Sequence, residues 1–210
     1  MKNEVSYTAV NTFETLNSLT DATSNIWFVF HGMGYLSRYF LRNFQGLPAH
    51  ENLVIAPQAP SKYYLDSRFS KIGASWLTRE HTEREMENVL SYLDAVMEYI
   101  SPPEDLNKVV LGFSQGVSIA SRWVARRKIN CQKLILYSGG LPEEIHKGDF
   151  DFLSQDTEVL MIHGDQDPYL NPGRLAREEE KFYSVFQGKG RKIAFEGGHT
   201  LIPSIIETIV

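Results

Sequence analysis

The chain has 210 residues, 42% of them hydrophobic and 22% charged, and this balance excludes an intrinsically disordered protein. Twenty-one basic residues stand against 26 acidic ones, and a net charge of −5 predicts no nucleic acid partner. The single cysteine, Cys131, excludes an internal disulfide and a cysteine-rich zinc site.

Short apolar runs recur along the chain and are separated by amphipathic segments. The runs are rich in β-forming residues without strict alternation, which is typical of strands buried on both faces of a parallel sheet. They cover 26–30, 53–56, 109–113, 134–137 and 159–162, and a further strand is predicted at 192–195. One further strand is predicted at residues 5–10, antiparallel and at the edge of the sheet.

Three helices are predicted between these strands. The segment from Met86 to Ile100 has apolar residues at the spacing of one helix face, and Pro102 follows it. A second helix follows Ser114, and a third covers Pro172 to Phe186. The alternation predicts an α/β fold with a mostly parallel sheet and helices on both faces. We expect residues 1–210 to form a single domain without a separate cap domain.

A G-x-S-x-G motif, Gly112 to Gly116, lies between a predicted strand and a predicted helix. A serine on such a turn adopts strained backbone angles and presents its hydroxyl at the carboxyl edge of the sheet, where ligands bind. Ser114 is therefore a candidate nucleophile, and a serine nucleophile needs a base and an orienting carboxylate.

Later strand ends provide both partners. The strand ending at Ile162 opens into a loop with Asp165 and Asp167, either of which could be the carboxylate. The last predicted strand opens into a loop with His199, the candidate base. This chain order of serine, acid and histidine is the order found in α/β-hydrolases.

At this point the chain resembles the α/β-hydrolases of the phospholipase/carboxylesterase family, which includes the acyl-protein thioesterases. The matching segments are 31–34, 57–60, 75–76, 112–116, 138–142, 163–167 and 198–199. The resemblance implies Ser114 as nucleophile, Asp167 as orienting carboxylate and His199 as general base and then acid. It also implies an oxyanion hole formed by the backbone N–H groups of Met33 and Gln115.

Substrate contacts are predicted at Trp76, Leu141 and Leu170. Trp76 lies in a long loop, residues 58–80, whose aromatic side chains either form an acyl pocket or pack the loop onto the sheet. His31 and His163 each begin a His-Gly turn, and we interpret both as structural rather than catalytic or metal-binding.

The sequence thus predicts a serine hydrolase that cleaves carboxylic esters through an acyl-serine intermediate, without a cofactor or metal. A thioesterase and a catalytically silent binding protein remain the alternatives. The expected partner is a small acyl ester, in a shallow open groove. No secretory signal or long apolar run is present, which predicts a cytoplasmic chain without stable membrane insertion. The oligomeric state is left open, and a homodimer is compatible with the sequence.

Overall fold

A seven-stranded sheet forms the centre of the computed structural model, which describes residues 3–209. In spatial order its strands are β1 (Phe13–Leu16), β3 (Asn52–Pro57), β2 (Asn25–Phe30), β6 (Asn107–Phe113), β7 (Lys133–Tyr137), β8 (Glu158–Gly164) and β9 (Gly190–Phe195). Every neighbouring pair is parallel except β1 and β3. The mostly parallel sheet predicted from the apolar runs is confirmed.

Helices cover both faces of this sheet, also as predicted. They are α1 (Ser37–Phe40), a 3₁₀ helix (Leu41–Phe44), α2 (Thr82–Ile100), α3 (Gln115–Arg127), α4 (Pro172–Phe186) and α5 (Pro203–Thr208). One apolar core joins α2, α3 and α4 to the sheet, and a second joins α1, the 3₁₀ helix and α5 to the opposite face. Because both faces are covered, β2, β6 and β7 are apolar after their first one or two residues.

Local sequence explains where α4 begins. Asn171 precedes it, and its side-chain oxygen accepts a hydrogen bond from the backbone N–H of Arg174 at 2.9 Å. Pro172 occupies the first helical position, where no N–H is needed by the helix. In residues 3–209 the structure has no helix with the length and apolarity to cross a bilayer.

Two predictions about the edges of the fold are wrong. Residues 5–10 form no strand, and the antiparallel edge strand is β1, at Phe13–Leu16. Its register places Phe13 opposite Pro57, whereas 5–10 is exposed throughout. The segment 58–80, predicted as a loop, contains a β-hairpin of β4 (Ser61–Tyr64) and β5 (Ile72–Ser75). Short exposed strands carry no buried-face pattern, so periodicity does not reveal them.

The strand order reverses direction between β2 and β6. The chain leaves β2 toward β3 on one side, and then returns to add β6, β7, β8 and β9 on the other side. Loops after β2 and β6 therefore diverge and leave a crevice at the carboxyl edge, the usual ligand site of open parallel sheets.

Candidate active site

Ser114 occupies a strained turn between β6 and α3. Its φ of 53° and ψ of −117° are unusual for a residue with a side chain. The flanking glycines have no room for a side chain. A Cβ on Gly112 would lie 2.4 Å from the Gly116 carbonyl oxygen, and one on Gly116 would lie 2.0 Å from that of Phe30. Close packing of β2, β6 and α3 thus requires glycine on both sides of the serine.

Three side chains from different loops form a continuous hydrogen-bonded row. The Nε2 atom of His199 lies 2.9 Å from the Ser114 Oγ, and its Nδ1 lies 2.7 Å from Asp167 Oδ2. An ionised carboxylate only accepts hydrogen bonds, so Nδ1 carries the ring proton and Nε2 accepts from the Ser114 hydroxyl. The row is arranged so that the serine proton can pass to the imidazole.

Asp167, rather than Asp165, contacts His199. The Asp167 side chain is fully shielded from solvent, and its second oxygen accepts the backbone N–H of Tyr169 at 2.9 Å. Asp165 is exposed and instead accepts the backbone N–H of Gly197 at 3.0 Å. That bond joins the loop after β8 to the loop that carries His199.

Two aromatic rings flank the His199 imidazole. The Phe113 ring centroid lies 5.2 Å from that of His199, and the Tyr169 ring meets it edge to face at 4.7 Å. Both contacts restrict rotation of the imidazole. Sequence reasoning missed them, although both residues are close neighbours of predicted triad members: Phe113 precedes Ser114, and Tyr169 follows Asp167 by two positions.

The turn after β2 lies directly against the serine. A Cβ on Gly32 would be 3.1 Å from Ser114 Cβ, so Met33, the next residue, belongs to the same crevice. Gly34 donates its N–H to the Ala74 carbonyl at 2.8 Å and has a φ of 87°. The turn is therefore held by β5. Gln115 directly follows Ser114 and is the first residue of α3, where backbone N–H groups have no partner within the helix.

The Gln115 side chain connects the serine turn to the hairpin. Its Oε1 accepts the Trp76 backbone N–H at 2.9 Å, and its Nε2 donates to the Leu77 carbonyl at 2.8 Å. Ser75 Oγ lies 3.1 Å from the same Nε2. The sequence argument assigned only the backbone of this residue, because the motif leaves its side chain unspecified.

His31 has the structural position expected of it. Its Nδ1 donates to the Gly32 carbonyl at 2.8 Å, and its Nε2 accepts the Ala59 backbone N–H at 3.2 Å. Burial lowers the pKa of His31 from 6.5 to about 4, since a charged ring in this site would lose its hydration. His163 is also buried, with Nδ1 at 3.2 Å from the Gly164 carbonyl.

Trp76 does not line an open pocket, contrary to its predicted role in substrate binding. Only 1% of it is exposed, and its ring packs on Phe30 while Nε1 donates to the His31 carbonyl at 2.8 Å. Packing against β2 and the hairpin places it beneath the site. Leu141 and Leu170 are half-buried, and their contact with substrate stays a prediction.

Within residues 3–209, no group of three or more histidine, cysteine, aspartate or glutamate side chains is arranged to hold a metal ion. The one thiol, Cys131, is buried, and burial raises its pKa to about 12. It lies outside the row formed by Ser114, His199 and Asp167.

Comparisons with known proteins give the family and the fold of the chain. The family model described as "Serine hydrolase (FSH1)" matches residues 50–207. Among solved structures, acyl-protein thioesterase 2 from Zea mays is similar with a TM-score of 0.72 and 16% identity, over 95% of this chain and 96% of that one. No curated protein matches the chain in sequence.

Two further solved structures share the fold. A phospholipase/carboxylesterase from Dyadobacter fermentans has a TM-score of 0.66 at 20% identity, over 97% of this chain and 96% of its own. The Bacillus cereus carboxylesterase has a TM-score of 0.70 at 14% identity, over 96% and 92%. At these identities the similarity establishes the α/β-hydrolase fold.

Proposed function

Because the chain belongs to the serine hydrolase (FSH1) family, we propose that it hydrolyses carboxylic esters through an acyl intermediate on Ser114. The observation that carries this proposal is the row in which Ser114 Oγ, His199 and Asp167 are joined by contacts of 2.9 and 2.7 Å. Such a row supports nucleophilic attack by a serine, which is otherwise a weak nucleophile at neutral pH.

In the first half of the reaction, His199 Nε2 takes the hydroxyl proton while Ser114 Oγ bonds to the ester carbonyl carbon. The carbon–oxygen π electrons move to the carbonyl oxygen, which becomes an oxyanion. As the oxyanion collapses, the bond to the leaving group breaks and His199 returns the proton to the departing alkoxide. Asp167 holds the ring in the correct tautomer and stabilises the imidazolium. A water molecule then repeats these steps on the acyl-serine and releases the acid.

The backbone N–H groups of Met33 and Gln115 are proposed to stabilise the oxyanion. Gln115 is at the N-terminus of α3, where the helix dipole also favours negative charge. Each such donor contributes roughly 10²–10³ to the rate in enzymes where one has been removed. Their scaffold is rigid, since β5 holds one turn and the glycine packing of β2 and α3 holds the other.

Replacing the nucleophile tests this proposal. Ser114→Ala should lower kcat/KM for 4-nitrophenyl butyrate by roughly 10⁴-fold or more, since the row then lacks an attacking oxygen. A fluorophosphonate probe should label Ser114 of the native chain and leave the variant unlabelled. Ser118→Ala is the matched control, because Ser118 lies one helical turn later on α3.

Retained activity in Ser114→Ala, or probe attachment at another serine, would contradict the assignment. The leaving group is tested separately with an oxygen ester and a thioester of the same acyl chain. We expect a higher kcat/KM for the oxygen ester, and a preference for the thioester would instead identify a thioesterase.

A further inference from the structure

A cavity of about 380 Å³ lies beside the turn that carries Met33. Gly34 and Tyr35, the residues directly after Met33, form one wall, and Leu65 and Ile72 of the hairpin form another. The Tyr35 ring also meets the Phe113 ring at 6.0 Å, and Phe113 in turn flanks His199. The cavity wall therefore begins at the residue next to Met33, and two ring contacts connect Tyr35 to His199 through Phe113.

All charged side chains that line this cavity are positive. Arg38 and Lys71 both line it, and no aspartate or glutamate does. Within residues 3–209, neither cation has a carboxylate within 4.0 Å. The Arg38 guanidinium carbon lies 4.9 Å from the centroid of the Tyr39 ring, a contact that does not neutralise its charge.

The acid of the hairpin, Asp66, does not neutralise these cations. It lies outside the cavity lining, and its two oxygens accept from Ser70, from the hydroxyl at 2.6 Å and from the backbone N–H at 3.0 Å. Those bonds lower the pKa of Asp66 and keep it engaged within its own turn. Two unneutralised cations thus face a cavity that also has apolar walls.

We propose that this cavity binds an anionic group of the substrate, a carboxylate or a phosphate, while the acyl carbon lies at Ser114. The inference rests on the proposed ester hydrolysis and names its substrate class: acyl esters that carry a negative charge. Arg38 and Lys71 would bind the anion through charge-assisted hydrogen bonds, and the side chains of Tyr35, Leu65 and Ile72 would contact the carbon chain next to it.

Matched esters test the proposal. The mono-4-nitrophenyl ester of adipic acid carries a carboxylate on an acyl chain of the same length as neutral 4-nitrophenyl hexanoate. In a second pair, 4-acetoxybenzoate carries the charge on the leaving group and its methyl ester is neutral. In at least one pair the wild-type enzyme should favour the anionic ester in kcat/KM by about tenfold, the effect of one good charged hydrogen bond. The pair in which the anionic ester is preferred shows whether the acyl chain or the leaving group enters the cavity.

Arg38→Gln and Lys71→Gln should each bring the ratio of kcat/KM for the anionic over the neutral ester close to one. Lys62→Gln is the matched control, because Lys62 is an exposed cation of the same hairpin outside the cavity lining, and it should keep the wild-type ratio. A wild-type ratio near one in both pairs, or a ratio that Arg38→Gln and Lys71→Gln leave unchanged, would overturn the proposal.

Binding of inorganic phosphate separates this inference from the proposed function. Calorimetric titration should detect phosphate binding to wild type and to Lys62→Gln, and much weaker binding to the Arg38→Gln/Lys71→Gln double variant. If no ester is cleaved and Ser114 is not labelled, ester hydrolysis is wrong, and the phosphate titration still decides whether the cavity binds anions. Equal phosphate affinity in all three proteins would exclude the anion site.

Discussion

In the serine turn, the space left by neighbouring backbone atoms decides which residue type fits at each position. Gly116 is the clearest case, because a Cβ there would lie 2.0 Å from a carbonyl oxygen of β2. Strand and helix would have to separate to admit even one methyl group, and the serine and the turn after β2 would move with them. The glycines of the motif therefore maintain the distance between the nucleophile and its proposed oxyanion donors.

We predict that Gly116→Ala lowers the free energy of unfolding by about 1–3 kcal/mol or more and impairs labelling of Ser114 by the fluorophosphonate probe. Gly173→Ala is the control, since a Cβ there meets nothing closer than 3.7 Å and the residue lies in the first turn of α4. That change should be neutral or stabilise by up to about 1 kcal/mol, the helix preference of alanine over glycine. Urea unfolding measures the free energy of unfolding of both variants. Equal changes in the two would contradict the packing argument.

His31 makes folding stability depend on pH. Its pKa is about 4 in the folded chain and 6.5 as a free side chain, so the unfolded state binds the extra proton between these values. Stability contributed by the neutral ring is complete above pH 6.5 and is lost as the pH falls toward 4. The loss amounts to about 3 kcal/mol.

The variant His31→Asn can still donate to the Gly32 carbonyl but does not titrate, so its unfolding free energy should fall less between pH 6.5 and 4 than that of wild type. His50→Asn removes an exposed histidine and should keep the wild-type slope. Urea unfolding at several pH values gives the slopes. A wild-type slope in His31→Asn would show that other groups cause the acid sensitivity.

At the scale of elements, the hairpin β4–β5 supports the catalytic crevice from the side. It is absent from the main sheet, yet β5 binds Gly34 of the turn after β2, and Gln115 binds the chain just after β5. Hydrogen bonds therefore join the hairpin both to the turn after β2 and to the serine turn. Movement of the hairpin would move Met33 and the wall of the cavity proposed to bind anions together.

We predict that Gln115→Ala lowers kcat for 4-nitrophenyl butyrate by about tenfold and stability by about 1–3 kcal/mol, because several buried polar groups lose their partner. Gln132→Ala is the control: its Oε1 accepts the Lys108 backbone N–H at 2.7 Å, at the amino end of β6 and so at the sheet edge opposite Ser114. Gln132→Ala should lower the free energy of unfolding while leaving kcat near the wild-type value. A decrease of kcat in both variants, or in neither, would argue against a positioning role.

For the whole molecule, the uneven distribution of charge is more informative than the net value. Residues 31–75, from the turn after β2 to the end of β5, contain five basic and two acidic side chains, whereas the chain has 21 and 26. This region therefore carries a net +3 and the remainder −8. A net charge of −5 excluded nucleic acid, but it concealed this basic stretch of chain, which contains both walls of the cavity.

The preference for anionic esters should therefore decrease with added salt. Between about 0.01 M and about 1 M salt the screening length falls from about 30 Å to about 3 Å, so only contacts within the cavity persist. We expect the ratio of kcat/KM for the anionic over the neutral ester to decrease steadily over this range for wild type and to vary little for Arg38→Gln. A salt-independent ratio in the wild type would mean that steering by the cations of residues 31–75 is negligible.

By itself, the sequence determined the fold class and the positions of the three triad candidates. Ser114 and Asp167 follow strands buried on both faces, which appear in the sequence as apolar runs, and His199 follows the partly exposed edge strand β9. Parallel strand ends therefore bring all three side chains to one edge. Only the tertiary structure selected Asp167 over Asp165 by direct contact, because two carboxylates in one turn are equivalent until the backbone directs each side chain.

The tertiary structure also decided the environment of the site. It placed Trp76 in the core, replaced the edge strand expected at 5–10 by Phe13–Leu16, and revealed the hairpin beside the serine turn. Exposed short strands have no periodic signal, and the burial of an aromatic residue depends on elements far away in sequence. The cavity with Arg38 and Lys71 exists for the same reason: its two walls are more than twenty residues apart in the chain and meet only after folding.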